Sequence, residues 1–136
     1  KFDPSKIFFS TIHYGEIISF GKSSTKEYKN VLLVTGIANP KPLITHLEKK
    51  YKVEIMSFSD HHNFSTTDIA RIHQKFDTFA PDQKAIITTE KDYMRLSEMI
   101  AKTEIKNYPW FYQEIEVKLD KEEIFNNLVN QYVDTI

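Results

Sequence analysis

The stretch that decides the fold is VLLVTG, Val31-Leu32-Leu33-Val34-Thr35-Gly36. When the five residues before the glycine are extended, apolar or β-branched side chains lie on both faces of the strand. A strand of this kind is typical of a parallel sheet whose two sides are covered by helices. The stretch therefore predicts a strand that is buried in a parallel sheet and ends at Gly36.

Helical and strand-like segments alternate on the C-terminal side of this strand. The predicted order is a helix at 41–50, a strand at 53–58, a helix at 66–79, a strand at 84–88, a helix after residue 89, a strand at 109–118 and a last helix from about residue 120. This alternation predicts right-handed βαβ units. We expect an α/β fold with a three-layer, Rossmann-like architecture, in which a mostly parallel sheet carries helices on both faces.

Two of the predicted helices have clear sequence signals. Ser65 is a good N-cap, Asp68 stands at the capping-box position, and Phe64 and Ile69 suit a hydrophobic staple. The helix after Thr89 is expected to turn its apolar residues inward; these are Met94, Leu96, Met99 and Ile100. Together these signals place a helix start just after two of the predicted strands.

The N-terminal part of the chain has a different pattern. Two short β-prone runs, 7–12 and 16–20, flank His13-Tyr14-Gly15 and predict a short β-hairpin or two edge strands. We therefore divide the chain into a hairpin or linker element at 1–30 and an α/β domain at 31–136. A chain that begins at Lys1 without Met is expected to be part of a longer protein.

Composition excludes several classes of protein. The 136 residues carry a formal net charge of −1, which disfavours an overall polycation made for nucleic acid. The chain contains no cysteine, which excludes disulfides, Cys-ligated zinc and a thiol nucleophile. No apolar run reaches the roughly 18 residues of a membrane-spanning helix. Residues 1–52 hold nine lysines and four acids. This bias suits either a solvated surface or contact with anionic lipid or phosphate.

Three loops follow the predicted parallel strands, at 36–40, 59–64 and 88–92. Ligands of such sheets gather at the carboxyl ends of the strands, so these loops should lie near one another. The first, Gly36-Ile37-Ala38-Asn39-Pro40, has one glycine and so is not a dinucleotide fingerprint. Gly21-Lys22-Ser23 is not a P-loop either, because Glu16 stands where the motif needs its first glycine.

The second loop carries Asp60-His61-His62, the richest local cluster of the sequence. A carboxylate beside an imidazole can orient it, raise its basicity or share a metal. Manganese phosphoesterases named for this motif need further aspartates, and this chain has no Asp-x-Asp pair, so no metal site is predicted. The plain alternative is a loop aspartate with two exposed histidines.

The third loop, Thr88-Thr89-Glu90-Lys91-Asp92, reads equally well as a site or as a helix start. Thr89 fits an N-cap, Asp92 fits its capping-box partner, and acids suit the first turn. Lys91 does not fit the positive end of a helix, which hints at an anionic partner.

The three loops together resemble the signature blocks of the tetraacyldisaccharide 4'-kinase family of lipid A biosynthesis. Their order and spacing match the C-terminal half of that family over about residues 31–96. Ala38 departs from the common pattern, in which Gly is usual, and His62 varies in the family.

The resemblance implies ATP-dependent phosphorylation of the 4'-hydroxyl of tetraacyldisaccharide 1-phosphate, which makes lipid IVA. It places the protein peripherally at the cytoplasmic face of the Gram-negative inner membrane. Its partners would be an anionic acylated disaccharide lipid, the membrane surface and its own N-terminal P-loop domain, with no nucleic acid. ATP and Mg²⁺ would be held mainly by that N-terminal domain.

The resemblance also assigns residues. It makes His61 the residue that supports a catalytic aspartate of the missing domain, with Asp60 orienting His61. Four residues of the third loop carry over as active-site residues on the substrate or nucleotide side, without individual roles: Thr89, Glu90, Lys91 and Asp92. Asn39 of the first loop is grouped with them. The chain alone is expected to be catalytically inactive. A non-catalytic Rossmann-like binding module is the main alternative, and a metal phosphoesterase is a weaker one.

Overall fold

The computed structural model describes residues 10–22, 27–78 and 83–119. Within these ranges five strands and three α-helices follow one another. Their bounds are β1 Ser10–Ser19, β2 Asn30–Thr35, α1 Lys41–Glu48, β3 Lys52–Ser57, α2 Thr66–Thr78, β4 Lys84–Thr89, α3 Glu90–Leu96 and β5 Trp110–Leu119. Two short 3₁₀ turns, Ser97–Lys102 and Glu104–Asn107, connect α3 to β5.

The described strands form one sheet in the order β1-β5-β4-β2-β3. Strands β2 to β5 are parallel: Val31 of β2 lies between Val53 of β3 and Ala85 of β4, and Ile86 of β4 is paired with Trp110 of β5. The predicted α/β fold with a mostly parallel sheet is confirmed, and β2 is a buried interior strand between β4 and β3.

Contacts divide the chain into two compact units. Glu16–Glu114 is the larger one and contains β2 to β4 with all three described helices. The other, Lys1–Gly15 with Ile115–Ile136, is described only at 10–15 and 115–119.

The main core of the larger unit lies between one face of the sheet and helix α2. Alternate residues of the strands supply one side of this core and the apolar stripe of α2 supplies the other: Leu32, Val34, Ile86, Trp110, Ile69, Ile72 and Phe76. Leu43 and Leu47 of α1 are buried outside this cluster. Right-handed crossovers place α1 on the opposite face, because the chain moves from β2 to β3 in one direction and from β3 to β4 in the other.

This topology creates a switch point between two neighbouring strands. The loop after β2 leads to α1 on one face, and the loop after β4 leads to α3 on the other. In open α/β sheets the crevice at such a point is the usual ligand site. Gly36 and Asp92 border it.

The element bounds agree with prediction to within one or two residues along 30–96, and the differences concern 13–15, Met94 and the residues after Leu96. Strand β1 runs without a break through His13-Tyr14-Gly15, where Gly15 has no positive φ and the neighbouring residues are β-prone. Met94 is 66% exposed, since it lies opposite to the buried Asp92 and Leu96 on α3. The last predicted helix falls outside the described residues. No helix in the described ranges is both long and apolar enough to span a membrane.

Candidate functional site at the carboxyl edge of the sheet

The three loops meet at Gly36, so their predicted proximity is confirmed. The Gly36 N–H donates to Asp92 Oδ2 (2.9 Å), and its carbonyl accepts from the His61 N–H (3.1 Å). A Cβ added at Gly36 would lie 3.1 Å from Asp92 Oδ1 and 3.2 Å from the Ser59 carbonyl oxygen. Gly36 has no positive φ, so what favours glycine here is the close approach of these atoms and not an unusual turn.

Asp92 is the buried centre of this meeting point. It is 0% exposed and accepts from three groups: the Gly36 N–H, the Thr89 hydroxyl (Oδ2, 2.7 Å) and Arg95 Nη1 (Oδ1, 3.2 Å). Thr89 Oγ1 in turn accepts from the Asp92 N–H (3.0 Å), which makes Thr89 the N-cap of α3 as predicted. Both residues face the protein, so their contribution is to hold loops together.

His61 stands at the exposed side of the same cluster. Its side chain is 74% exposed, with Nε2 3.5 Å from Asp60 Oδ2 and Nδ1 2.9 Å from Arg95 Nη2. Its φ is +60°, a left-handed conformation that is uncommon for residues other than glycine. The His61 N–H to Gly36 carbonyl bond fixes this backbone, and such held conformations cluster at functional sites.

His62 points to the opposite side and belongs to the start of α2. Its Nε2 lies 2.8 Å from Asp68 Oδ2, and its ring packs against both Phe58 and Phe64. The predicted capping box is confirmed: the Ser65 N–H donates to Asp68 and the Asp68 N–H to Ser65 Oγ. The Ser65 N–H, together with His62, holds the pKa of Asp68 below its usual range. His62 is therefore structural.

The remaining predicted site residues lie at the rim. Asn39 and Lys91 are exposed, and Glu90 is half-buried in the first turn of α3. Asn39 Oδ1 accepts weakly from the Lys41 N–H (3.4 Å). Ala38 has an ordinary negative φ, so the methyl group that replaces the usual glycine causes no strain.

Arg95 is the site residue that sequence reasoning missed. It contacts Asp92, the Gly36 carbonyl (3.4 Å) and His61, which are brought together from three loops. Its only sequence signal is a basic residue three positions after an acid on a helix. That pattern is common on helix surfaces and does not reveal partners 34 and 59 residues away.

The described residues contain no group of three or more His, Asp or Glu side chains that could hold a metal ion. Gly21, from the rejected Gly-Lys-Ser motif, has a packing role. A Cβ there would overlap the carbonyl oxygen of Tyr108. The site thus consists of a buried carboxylate, a guanidinium and an exposed imidazole.

Comparisons with known proteins place this chain in a family. Residues 6–134 match the family described as Tetraacyldisaccharide-1-P 4'-kinase. The Tetraacyldisaccharide 4'-kinase of Bacteroides fragilis is 32% identical over 97% of the chain, that of Phocaeicola vulgatus 35% over 94%, and that of Flavobacterium johnsoniae 41% over 68%.

The chain spans well under half of these relatives: 39%, 38% and 27% of their respective lengths. Among solved structures it is similar to LpxK of Aquifex aeolicus in complex with ATP, at 20% identity and a TM-score of 0.48 over 90% of this chain and 35% of that one. The family match and the relatives more than 30% identical lead to one conclusion: this chain belongs to the tetraacyldisaccharide 4'-kinase family.

Proposed function

We propose that this chain is the C-terminal part of a kinase that transfers the γ-phosphoryl group of ATP to the 4'-hydroxyl of tetraacyldisaccharide 1-phosphate, forming lipid IVA. Residues 31–136 would form its α/β domain and residues 1–30 the preceding element. A P-loop domain would come before them in the full-length protein. Family membership supports this reaction, as does a site built to present one imidazole outward.

The observation that carries the proposal is the state of His61. Its ring is exposed at the switch point of the sheet, yet it is oriented by Asp60 and Arg95. An imidazole that is both exposed and oriented suits interaction with a group from another domain. We propose that His61 contacts the carboxylate that accepts the proton of the 4'-hydroxyl, and that it stabilises and orients that base.

ATP and Mg²⁺ do not fit the described residues of this chain. The described residues supply neither a phosphate-binding glycine loop nor a three-ligand metal cluster. We therefore assign both to the N-terminal domain, where magnesium would neutralise phosphate charge. This chain would add the orienting His61 and the rim residues Asn39, Glu90 and Lys91.

The substrate side of the proposal rests on charge. An acylated disaccharide phosphate is anionic and lies in a membrane surface, and the lysine excess of residues 1–52 suits contact with both. Lys91, exposed at the rim of the site, is a further cation near the expected position of the substrate. We place the full-length protein at the cytoplasmic face of the inner membrane, without a nucleic-acid partner.

The test is a 4'-kinase assay on the full-length protein. His61→Ala should lower kcat by about 10- to 100-fold, the usual range for loss of a group that orients a catalytic residue. His13→Ala is the matched control, because it removes an exposed histidine of β1, and its kcat should stay at the wild-type value. Unchanged kcat in His61→Ala would contradict the proposed role and favour a non-catalytic binding module.

A further inference from the structure

We propose that Arg95 is a positioning residue that selects the Nε2-protonated tautomer of His61 and fixes its ring. This inference deepens the proposed function and rests on it, since it concerns how His61 is prepared for contact with another domain. It also explains why Asp92 and Thr89, both buried, belong to the same site.

The guanidinium of Arg95 is shared between an interior and an exposed partner. Nη1 donates to Asp92 Oδ1 (3.2 Å) and weakly to the Gly36 carbonyl (3.4 Å), while Nη2 lies 2.9 Å from His61 Nδ1. Arg95 is itself mostly buried, whereas the His61 side chain is 74% exposed. Arg95 thus connects the buried carboxylate of Asp92 to the largely exposed side chain of His61.

The chemistry of the pair determines where the imidazole proton is. A guanidinium only donates hydrogen bonds, so His61 Nδ1 must be the unprotonated acceptor. The proton of the neutral ring is then on Nε2, on the side of Asp60 Oδ2 (3.5 Å). The His61 N–H is therefore at Nε2, on a ring that is 74% exposed, where an incoming carboxylate can share it with Asp60.

Arg95 can do this because the buried carboxylate of Asp92 fixes the position of its guanidinium. Asp92 accepts from the Gly36 N–H and the Thr89 hydroxyl, so its carboxylate cannot turn. A continuous path of polar contacts runs from the end of β4 to the exposed imidazole, through Thr89, Asp92, Arg95 and His61. Thr89 and Asp92 would thus act through Arg95 and not on the substrate.

The decisive variant is Arg95→Lys in the full-length kinase. A lysine retains the charge beside buried Asp92, but one ammonium group cannot reproduce the two-armed contact to Asp92 and His61. We expect a folded protein with kcat lowered about 10-fold or more and KM within about threefold of wild type. Arg71→Lys, at an exposed position of α2, is the matched control and should keep wild-type kinetics.

Nitrogen NMR of ¹⁵N-labelled histidines supplies a readout that a purely structural role would not change. In the wild type, His61 Nδ1 should have the shift of an unprotonated ring nitrogen. In Arg95→Lys, and more strongly in Arg95→Met, both ring nitrogens should move toward the averaged shifts of exchanging tautomers. If Arg95→Met does not fold, Arg95→Lys still decides the question.

The two levels of the account fail separately. If His61→Ala lowers kcat but Arg95→Lys changes neither kcat nor the His61 nitrogen shifts, the positioning role is overturned and the proposed function stands. A fall in kcat with unchanged nitrogen shifts also overturns it, because Arg95 then acts by another route. If His61→Ala leaves kcat unchanged, the role of His61 fails and the positioning role fails with it.

Discussion

At the scale of single residues, Asp92 determines the geometry of the site. Its carboxyl group is fully buried, and such a group is stable only when its acceptor sites are filled. The three donors that fill them come from the first loop, from the N-cap of α3 and from Arg95. One carboxylate therefore links β2, β4 and α3.

We predict that Asp92→Asn lowers the free energy of unfolding by about 3 kcal/mol, because it leaves Arg95 unpaired and turns an amide N–H₂ toward groups that themselves donate. The urea midpoint of this chain, followed by the fluorescence of its single tryptophan, measures the change. Asp60→Asn is the control. Asp60 is half-exposed and makes only a long contact to His61, so its loss should cost under about 1 kcal/mol. Equal effects of the two substitutions would contradict the account.

The sequence predicted part of this cluster. Thr89 and Asp92 were recognisable as a helix start because a cap is a local pattern, read within four residues. The bonds from Asp92 to Gly36 and from Arg95 to His61 were not predictable, since they form only once parallel strands bring distant loops together. The roles of His61, Asp60, Asn39, Glu90 and Lys91 stay proposals.

At the scale of elements, His73 joins α2 to β5. It is 6% exposed, and its Nε2 accepts from Trp110 Nε1 (2.8 Å) while its ring stacks on Tyr108 at 3.8 Å. Burial lowers the pKa of His73 to about 4, against a partial opposing effect of Asp77 and Glu104. The histidine is therefore neutral in the folded protein at neutral pH and serves the core.

This lowered pKa makes stability depend on pH. Between pH 6.5 and about 4 the unfolded chain binds a proton at His73 that the native chain does not, so stability falls as pH falls through this window. The loss reaches about 3 kcal/mol at the lower end. His73→Gln should flatten the dependence of the urea midpoint in this window, and His13→Gln, at an exposed position, should not. A wild-type slope in His73→Gln would contradict this assignment.

Element bounds were predictable wherever the pattern was strong. The continuous apolar run 31–35 and the Ser65–Asp68 capping box each identified an element to within one or two residues. Strand β1 continues through 13–15 because a single glycine without Asn, Asp or Pro does not force the chain to reverse. The 3₁₀ turns after Leu96 lack a periodic signal, and so the helix was predicted to extend through Met99 and Ile100.

At the scale of the whole molecule, we propose that the chain presents one side of a site. The switch point is bordered by an oriented imidazole and several polar side chains, and the described residues offer no metal cluster opposite them. The fold and family follow from the sequence, because three motif-bearing loops keep the order and spacing of the strand ends. The reacting groups that we assign to another domain do not follow from the sequence of this chain.

We predict that the 136-residue chain by itself transfers no phosphate, because it carries neither a P-loop nor a magnesium site among its described residues. The assay is transfer of labelled γ-phosphate from ATP to tetraacyldisaccharide 1-phosphate in detergent micelles. The full-length protein is the positive control. Turnover by the chain alone at a rate near that of the full-length protein would show that the account has placed the catalytic machinery in the wrong domain.

The central claim is that this chain completes a kinase whose phosphate-binding half precedes it. The most direct measurement is the sequence of the reading frame upstream of Lys1. The account predicts an in-frame domain that carries Gly-x-x-x-x-Gly-Lys-Ser/Thr after a strand, followed by aspartates for magnesium and for the base that His61 supports. A start codon a few residues upstream, with no such motif, would contradict it and leave an α/β module without a catalytic partner in its own chain.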